Sequence, residues 1–199
     1  MSIYVSRRWT ANKRAEAVDV LTGAFAADPA ARWVYPDELQ YRFNFPRLVE
    51  ALAGNAFDHR TAFSAADGSG AALWLPPDVH PDDEAVASVI ADSVSVAKRD
   101  EVFALMEAMD AHHPRQPHWY LPLIGVEPVR HGRGVGAELM RRALDACDRD
   151  GAAAYLEATS DGSRRLYERF GFETVGTIQV GSSPPLYPML RQARSPRRG

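Results

Sequence analysis

Apolar side chains in the first part of the chain recur at the three- and four-residue spacing of amphipathic helices. This spacing predicts helices over residues 17–25, 82–98 and 101–111. A weaker pattern of the same kind covers residues 38–58, where Pro46 interrupts it because proline lacks the N–H that a helix interior needs. The first part of the chain is therefore expected to be mainly helical.

Strand patterns appear first around a glycine-containing turn and then dominate the second part of the chain. The apolar runs 61–65 and 71–75 flank Asp67-Gly68-Ser69-Gly70, which predicts a β-hairpin. Further strands are predicted over residues 119–126, 153–158, 174–180 and 186–190, with helices starting at Gly136 and Arg164. Pro122 cannot donate to a strand ladder, so it predicts a bulge or a locally unpaired edge. The order of elements predicts a mixed α/β fold.

Composition places the chain among ordinary globular proteins. It has 199 residues, of which 46% are apolar and 25% are charged. We expect one domain over residues 1–199, in which residues 192–199 form a disordered tail. The net charge of −3 provides no basic field, so neither nucleic acid nor an anionic membrane is expected as a partner.

The single cysteine, Cys147, excludes an intramolecular disulfide, and its helical spacing places it on a buried face. One cysteine without clustered histidines does not make a zinc site, so we expect no metal ion. No apolar run approaches the roughly 18 residues that a membrane span needs. The segment Met1–Thr10 is not followed by the apolar run of a signal peptide, and a cytoplasmic location is expected.

A glycine-rich turn at the start of a predicted helix carries the clearest chemical signal. Gly132, Gly134 and Gly136 alternate there, and Arg133 adds a cation. The free N–H groups of a helix start and the helix dipole favour an anion, so the turn suits a phosphate or pyrophosphate.

One ligand that could supply this phosphate is a dinucleotide. Gly132, Gly134 and Ala137 match the G-x-G-x-x-G/A pattern, with Glu157 placed to hold a ribose. Against this reading, a spacer containing Pro128 separates the glycines from their strand, and the chain after Glu157 is short for a doubly wound sheet.

Two motifs in order give the segment Leu121–Phe172 a family resemblance. The first follows an apolar strand ending Gly125-Val126-Glu127-Pro128 and stands as His131-Gly132-Arg133-Gly134-Val135-Gly136. The second stands as Tyr167-Glu168-Arg169-Phe170-Gly171-Phe172. Both are similar to signatures of the GNAT superfamily of N-acetyltransferases, although His131 replaces the usual Gln or Arg. A closer resemblance, to puromycin N-acetyltransferase-like members, lies in Phe25–Pro29, Trp119–Leu121, Tyr155–Glu157 and Leu166–Phe172.

The resemblance implies a fold and a reaction. The fold would be a mixed, mostly antiparallel central sheet with helices on both faces and a splayed parallel strand pair forming the acetyl-CoA cleft. The reaction would be transfer of an acetyl group from acetyl-CoA to a primary amine of a small molecule, by direct attack in a ternary complex. The residues expected to hold acetyl-CoA are Ile124, Gly125, Val126, His131, Gly132, Arg133, Gly134, Val135, Gly136, Ala137 and Ser163. Of these, Ser163 is favoured as the N-cap of the following helix.

Catalytic roles also follow from the resemblance. Tyr167 would protonate the departing thiolate, and Glu157 would accept the proton of the amine or hold its charge. His118 is a second candidate base, whereas His112-His113 is expected to be a solvated pair. The residues Trp33, Tyr35, Trp74 and Tyr187, with Asp28, are candidates for an acceptor pocket.

Other functions remain open at this point. The same fold could serve as a non-catalytic acyl-CoA-binding or regulatory domain, or acetylate a protein or peptide. A dinucleotide-binding oxidoreductase is the further alternative. A homodimer could form through an exposed edge strand at residues 186–190.

Overall fold

A computed structural model describes residues 3–4 and 10–193, with side chains from Thr10 onward. Residues 194–199, which are most of the predicted tail, lie outside the described residues, as does most of the segment Met1–Thr10. Within the described ranges, one mixed sheet has seven strands in the order β1-β2-β3-β4-β5-β7-β6. The strands are β1 Ile3–Tyr4, β2 Ala62–Ala65, β3 Gly70–Leu75, β4 His118–Val126, β5 Ala153–Ala158, β6 Glu173–Thr174 and β7 Tyr187–Arg191.

Antiparallel pairing dominates this sheet, and only β4 and β5 run parallel. A parallel pair needs a crossover, which the glycine turn and one helix supply between these two strands. The predicted mixed α/β fold with a mostly antiparallel sheet is confirmed.

Helices cover both faces of the sheet. They are α1 Ala11–Ala24, α2 Pro29–Val34, α3 Glu38–Ala53, α4 Asn55–Asp58, α5 Asp83–Ser93, α6 Val96–Asp110, α7 Val135–Asp150 and α8 Asp161–Glu168, with a 3₁₀ turn at Pro128–Arg130. Strand residues alternate between the two faces. Tyr120 and Tyr155 therefore join the core under α1, α3 and α5, whereas Leu121 and Leu156 join the core under α7 and α8.

Several predicted boundaries are wrong for identifiable reasons. The helix predicted over 82–98 breaks at Val94 and Ser95, where extended backbone ends α5 and precedes α6. The helix α3 continues through Pro46, because the buried side chains on either side of it pack into the core. No described helix has the length and apolar character that crossing a membrane would require.

The end of the sheet also differs from the prediction. The strand expected over 174–180 stops at Thr174, and beyond it only Ile178 forms a bridge, to Leu186. β7 is not an edge, because it lies between β5 and β6. The expectation that residues 186–190 form an exposed edge strand, through which a homodimer could pair, is therefore wrong.

Candidate active site

The two parallel strands separate partway along their length. β4 and β5 pair from His118–Ala153 to Leu121–Leu156 and no further. Beyond that point β4 still pairs with β3, up to Val126 opposite Gly70. A register shift falls at Pro122, which has no N–H to give, so the predicted bulge is confirmed. Within the described chain, the main-chain groups of residues 122–126 on the β5 side thus face an opening and not a strand.

The glycine turn lies at the wide end of this opening. Gly132 and Gly134 have φ of 74° and 82°, a left-handed conformation that side chains disfavour. A Cβ at either position would meet no atom within 4 Å, so backbone conformation and not crowding explains these glycines. Among the residues that the structure describes, no side chain caps α7 at Gly134. The first N–H groups of α7 are therefore free for an anion, with the helix dipole behind them.

His131 and Gly125 fix the approach to this turn. The His131 Nε2 lies 2.9 Å from the Val126 carbonyl oxygen, so it donates a hydrogen bond to the end of β4. This hydrogen bond links the start of the glycine turn to the last residue of β4. At Gly125 a Cβ would come within 2.6 Å of Ala24, because the last turn of α1 crosses the strand there.

Tyr167 lies on α8. It is buried in the same core that Ile124 and Val126 contact. Its hydroxyl makes no hydrogen bond to any described residue. Burial, and secondarily the negative charge of Asp28, hold the pKa of Tyr167 well above its usual range, so the phenol stays protonated.

Asp28 reaches the same place from a distant part of the sequence. It caps α2 by accepting hydrogen bonds from the N–H groups of Ala30 and Ala31, each at 3.0 Å. It also accepts a very short hydrogen bond from the hydroxyl of Thr159, which directly follows β5. Burial raises the pKa of Asp28, and these hydrogen bonds oppose that rise. The arrangement brings a carboxylate to the mouth of the opening.

Glu157 stands where β5 first leaves β4, and only 4% of its side chain is exposed. Its Oε2 accepts a hydrogen bond of 3.0 Å from the Tyr120 hydroxyl. His113 lies with Nε2 at 3.5 Å from Glu157 Oε1, and its ring centroid is 4.5 Å from those of Tyr120 and Tyr155. The prediction that His113 is a solvated loop residue is therefore wrong.

A model of the Acetyltransferase (GNAT) family matches residues 55–172, which include the splayed strands, the glycine turn and Tyr167. The chain belongs to the GNAT acetyltransferase family. Members of this family use acetyl-CoA as the acetyl donor.

Relatives of known sequence or structure agree with this assignment. The chain is 25% identical over 207 residues to an uncharacterized N-acetyltransferase of Schizosaccharomyces pombe, covering 92% of this chain and 83% of that protein. It is 26% identical to a Corynebacterium glutamicum structure described as histone acetyltransferase HPA2 and related acetyltransferase, with a TM-score of 0.66 and 98% of each chain covered. A Drosophila melanogaster polyamine N-acetyltransferase shares the fold at 14% identity, with a TM-score of 0.63 over 96% of this chain and all of that one.

Two expectations about this GNAT site need correction. Ser163 is not the N-cap of α8: the cap is Ser160, whose Oγ accepts from the Ser163 N–H at 3.2 Å. The proposed aromatic pocket does not assemble, because Tyr35 and Trp74 are buried in cores on opposite faces of the sheet. Trp33 instead donates to Ser182, and Tyr187 packs under the Arg164 guanidinium.

The GNAT motifs led directly to Tyr167 and the turn but gave no signal for Thr159 or His113. Thr159 meets Asp28 across 131 positions of sequence, and His113 has no motif around it. His113 and His118 stand at the two ends of the loop that joins α6 to β4. Their spacing would have predicted a contact only if the two ends of that loop were known to lie close together. Among the described residues, no cluster of three His, Cys, Asp or Glu side chains could hold a metal ion.

Proposed function

We propose that this GNAT protein transfers the acetyl group of acetyl-CoA to a primary amine of a small molecule, by direct attack in a ternary complex. The observation that carries the proposal is the unbonded hydroxyl of Tyr167, a residue of the same core against which Ile124 and Val126 of the unpaired β4 edge pack. A proton donor and a row of free main-chain groups in one cleft suit a thioester with a departing thiolate.

Main-chain groups would bind the donor. The edge of β4 at Ile124, Gly125 and Val126 would pair with the pantetheine arm, and the turn from His131 to Ala137 would hold the pyrophosphate. An N–H of Ile124 or Gly125 would meet the thioester oxygen as negative charge develops there. One such donor lowers a barrier by about 3 kcal/mol.

Side chains would manage the protons of the reaction. The amine nitrogen forms a bond to the thioester carbon, the C–S bond then breaks, and the thiolate takes the hydroxyl proton of Tyr167. Glu157 accepts the proton that the nitrogen loses. Direct transfer is favoured because burial raises the pKa of Cys147 to about 12, which leaves no thiolate to form an acyl-enzyme.

The acceptor would enter past Asp28, whose carboxylate attracts an ammonium group. The Drosophila enzyme that shares this fold is described as forming N-acetylagmatine, which supports a small amine as the acceptor class. The sequence resemblance to puromycin N-acetyltransferases points to the same class without identifying puromycin as the substrate.

The test begins with thermal unfolding in the presence of acetyl-CoA, NAD or NADP in parallel. A ligand that binds only the folded state adds about 2.7 kcal/mol at a hundredfold excess over its Kd. We expect stabilisation by acetyl-CoA alone, followed by thiol release with members of a panel of small amines. Stabilisation without thiol release would favour a regulatory acyl-CoA-binding domain, and stabilisation by the dinucleotides alone would overturn the proposal.

A further inference from the structure

Three side chains form a continuous chain of contacts behind the cleft. His118 Nδ1 lies 2.9 Å from the carbonyl oxygen of Gln116. His118 Nε2 lies 3.3 Å from His113 Nδ1, and His113 Nε2 lies 3.5 Å from Glu157 Oε1. The chain runs from the segment before β4 to the residue at which β5 leaves β4.

The direction of each hydrogen bond fixes where the protons are. A carbonyl oxygen can only accept, so His118 carries its proton on Nδ1. Burial lowers the pKa of His118, so the ring is neutral and its Nε2 is an acceptor. His113 must then donate from Nδ1, and a neutral His113 has a lone pair on Nε2.

That lone pair would face the carboxylate oxygen of Glu157. Two electron-rich atoms at 3.5 Å repel, and Glu157 Oε1 has no other hydrogen-bond partner in the described chain. One additional proton between Nε2 and Oε1 converts this repulsion into an ion pair. The two groups are therefore built to hold one proton between them.

We propose that Glu157 and His113 act as a single proton acceptor, in which His113 takes at Nε2 the proton that Glu157 removes from the amine. His118 is a positioning residue that keeps His113 in the required tautomer. The inference rests on the proposed function and adds a residue to its mechanism.

The proton balance has three steps. After the amine nitrogen has bonded to the thioester carbon, one N–H bond of that nitrogen breaks as an O–H bond forms on Glu157. That O–H bond breaks as an N–H bond forms at His113 Nε2, which leaves a carboxylate beside an imidazolium. The proton finally passes to water, because 24% of the His113 side chain is exposed and it lines a cavity of about 580 Å³ between α5, α6 and the segment before β4.

Uncharged phenols and a polar cavity surround His113. The neutral phenols of Tyr120 and Tyr155 flank the ring, since burial and the charge of Glu157 raise the pKa of each. The other charged and titratable groups of the cavity lining, besides Tyr120, are Asp78, His80, Asp83, Glu107, Asp110, Arg115 and His118.

The decisive variant is His113→Asn, which keeps an N–H for His118 but has no atom equivalent to Nε2. We expect turnover to fall about tenfold, less than for a directly acting base because Glu157 remains. Because the shared proton is lost with the ring, the acid side of the pH profile should shift to lower pH, and added imidazole should restore part of the rate. His112→Asn is the matched control, since the one hydrogen bond of the neighbouring His112 side chain to a described residue joins its Nδ1 to the Ala108 carbonyl, and the variant should leave rate and profile unchanged.

A uniform loss of rate at every pH, without rescue by imidazole, would overturn the relay and leave His113 a structural residue. His118→Asn keeps the donor to Gln116 but removes the acceptor for His113. It should show the same change in the pH profile to a smaller extent.

Nitrogen NMR of the imidazoles tests the proton arrangement without any turnover, so it separates this inference from the proposed function. We expect His118 to carry its proton on Nδ1 alone. The His113 Nε2 resonance should move in the Glu157→Gln variant, because that nitrogen loses its carboxylate partner. A proton on His118 Nε2, or a His113 Nε2 resonance that Glu157→Gln leaves unchanged, would overturn the inference even if acetyl transfer is found.

Discussion

The donor side and the acceptor side of the cleft are made from different kinds of groups. The donor side is one continuous stretch, residues 122–137, and offers main-chain atoms along β4 and at the start of α7. The acceptor side is made of side chains from separate segments, with Asp28 against Thr159 and His113 against Glu157. The main-chain side depends on glycines and a proline at fixed spacing, so the sequence predicts it. The side-chain side depends on contacts between residues far apart in the sequence, so no local pattern predicts it.

The sharpest way to separate the two sides is Tyr167→Phe. We expect turnover to fall about a hundredfold, the low end for acid catalysis, because the thiolate loses its proton donor. Acetyl-CoA should stabilise the variant as it stabilises the wild type, since the ring and its packing against Phe172 remain. Thiol release and thermal shift measure the two effects. The control is Tyr35→Phe, which removes a buried phenol oxygen from the other core and should leave turnover unchanged.

The donor side is tested by comparing the glycines at the two ends of α7. Gly134→Ala and Gly151→Ala each place a side chain at a left-handed φ, 82° and 62° respectively. Each should cost about 1–2 kcal/mol in the free energy of unfolding, measured with denaturant. Gly134→Ala alone should also weaken acetyl-CoA by about tenfold, through misdirected N–H donors. Equal acetyl-CoA affinity in both variants would show that the turn does not bind the donor.

Asp28→Asn tests the acceptor side. Asparagine keeps the N-cap of α2 but removes the charge, so KM for a cationic amine should rise a few-fold while acetyl-CoA affinity stays constant. Steady-state kinetics with the amine and acetyl-CoA varied in turn measure both. An effect on acetyl-CoA alone would contradict the division between the two sides.

The same variant predicts a pH dependence of stability. The fold raises the pKa of Asp28, so its contribution to stability is present below the unfolded pKa of about 3.9 and is lost as pH rises through the folded value. The Asp28→Asn variant has no carboxyl group to ionise at this position, so it should not lose this stability as pH rises. Its free energy of unfolding should therefore increase relative to that of the wild type from acidic to neutral pH. Denaturant unfolding at several pH values measures it.

The smallest effects are expected at the start of α8. Ser160→Ala removes the N-cap and should cost about 1 kcal/mol. Ser163→Ala removes two local hydrogen bonds, to the carbonyl and to the hydroxyl of Ser160, and should change stability by less than about 0.5 kcal/mol. If Ser163→Ala weakens acetyl-CoA without changing stability, this serine belongs to the donor side after all.

Local chemistry explains which elements the sequence predicts. The hairpin over β2 and β3, the bulge at Pro122 and the strand–turn–helix unit around Gly134 are marked by glycine, proline and regular spacing. The break at Ser95 and the continuation of α3 through Pro46 depend on packing against other elements, which no local pattern records. In the site, Tyr167 stands in a motif, whereas the partnership of His113 with Glu157 exists only once the sheet has formed.

The separation of β4 from β5 has a mechanical consequence. Four residue pairs at one end of these strands are the sheet bonds that join β1–β4 to β5–β7 in the described chain. A donor bound along the free edge of β4 would add a second connection at the opposite end. The binding free energy of the donor would then mainly stabilise the contact between the two half-sheets. Amide hydrogen exchange in β5 and β7 should therefore slow more on donor binding than exchange in β2.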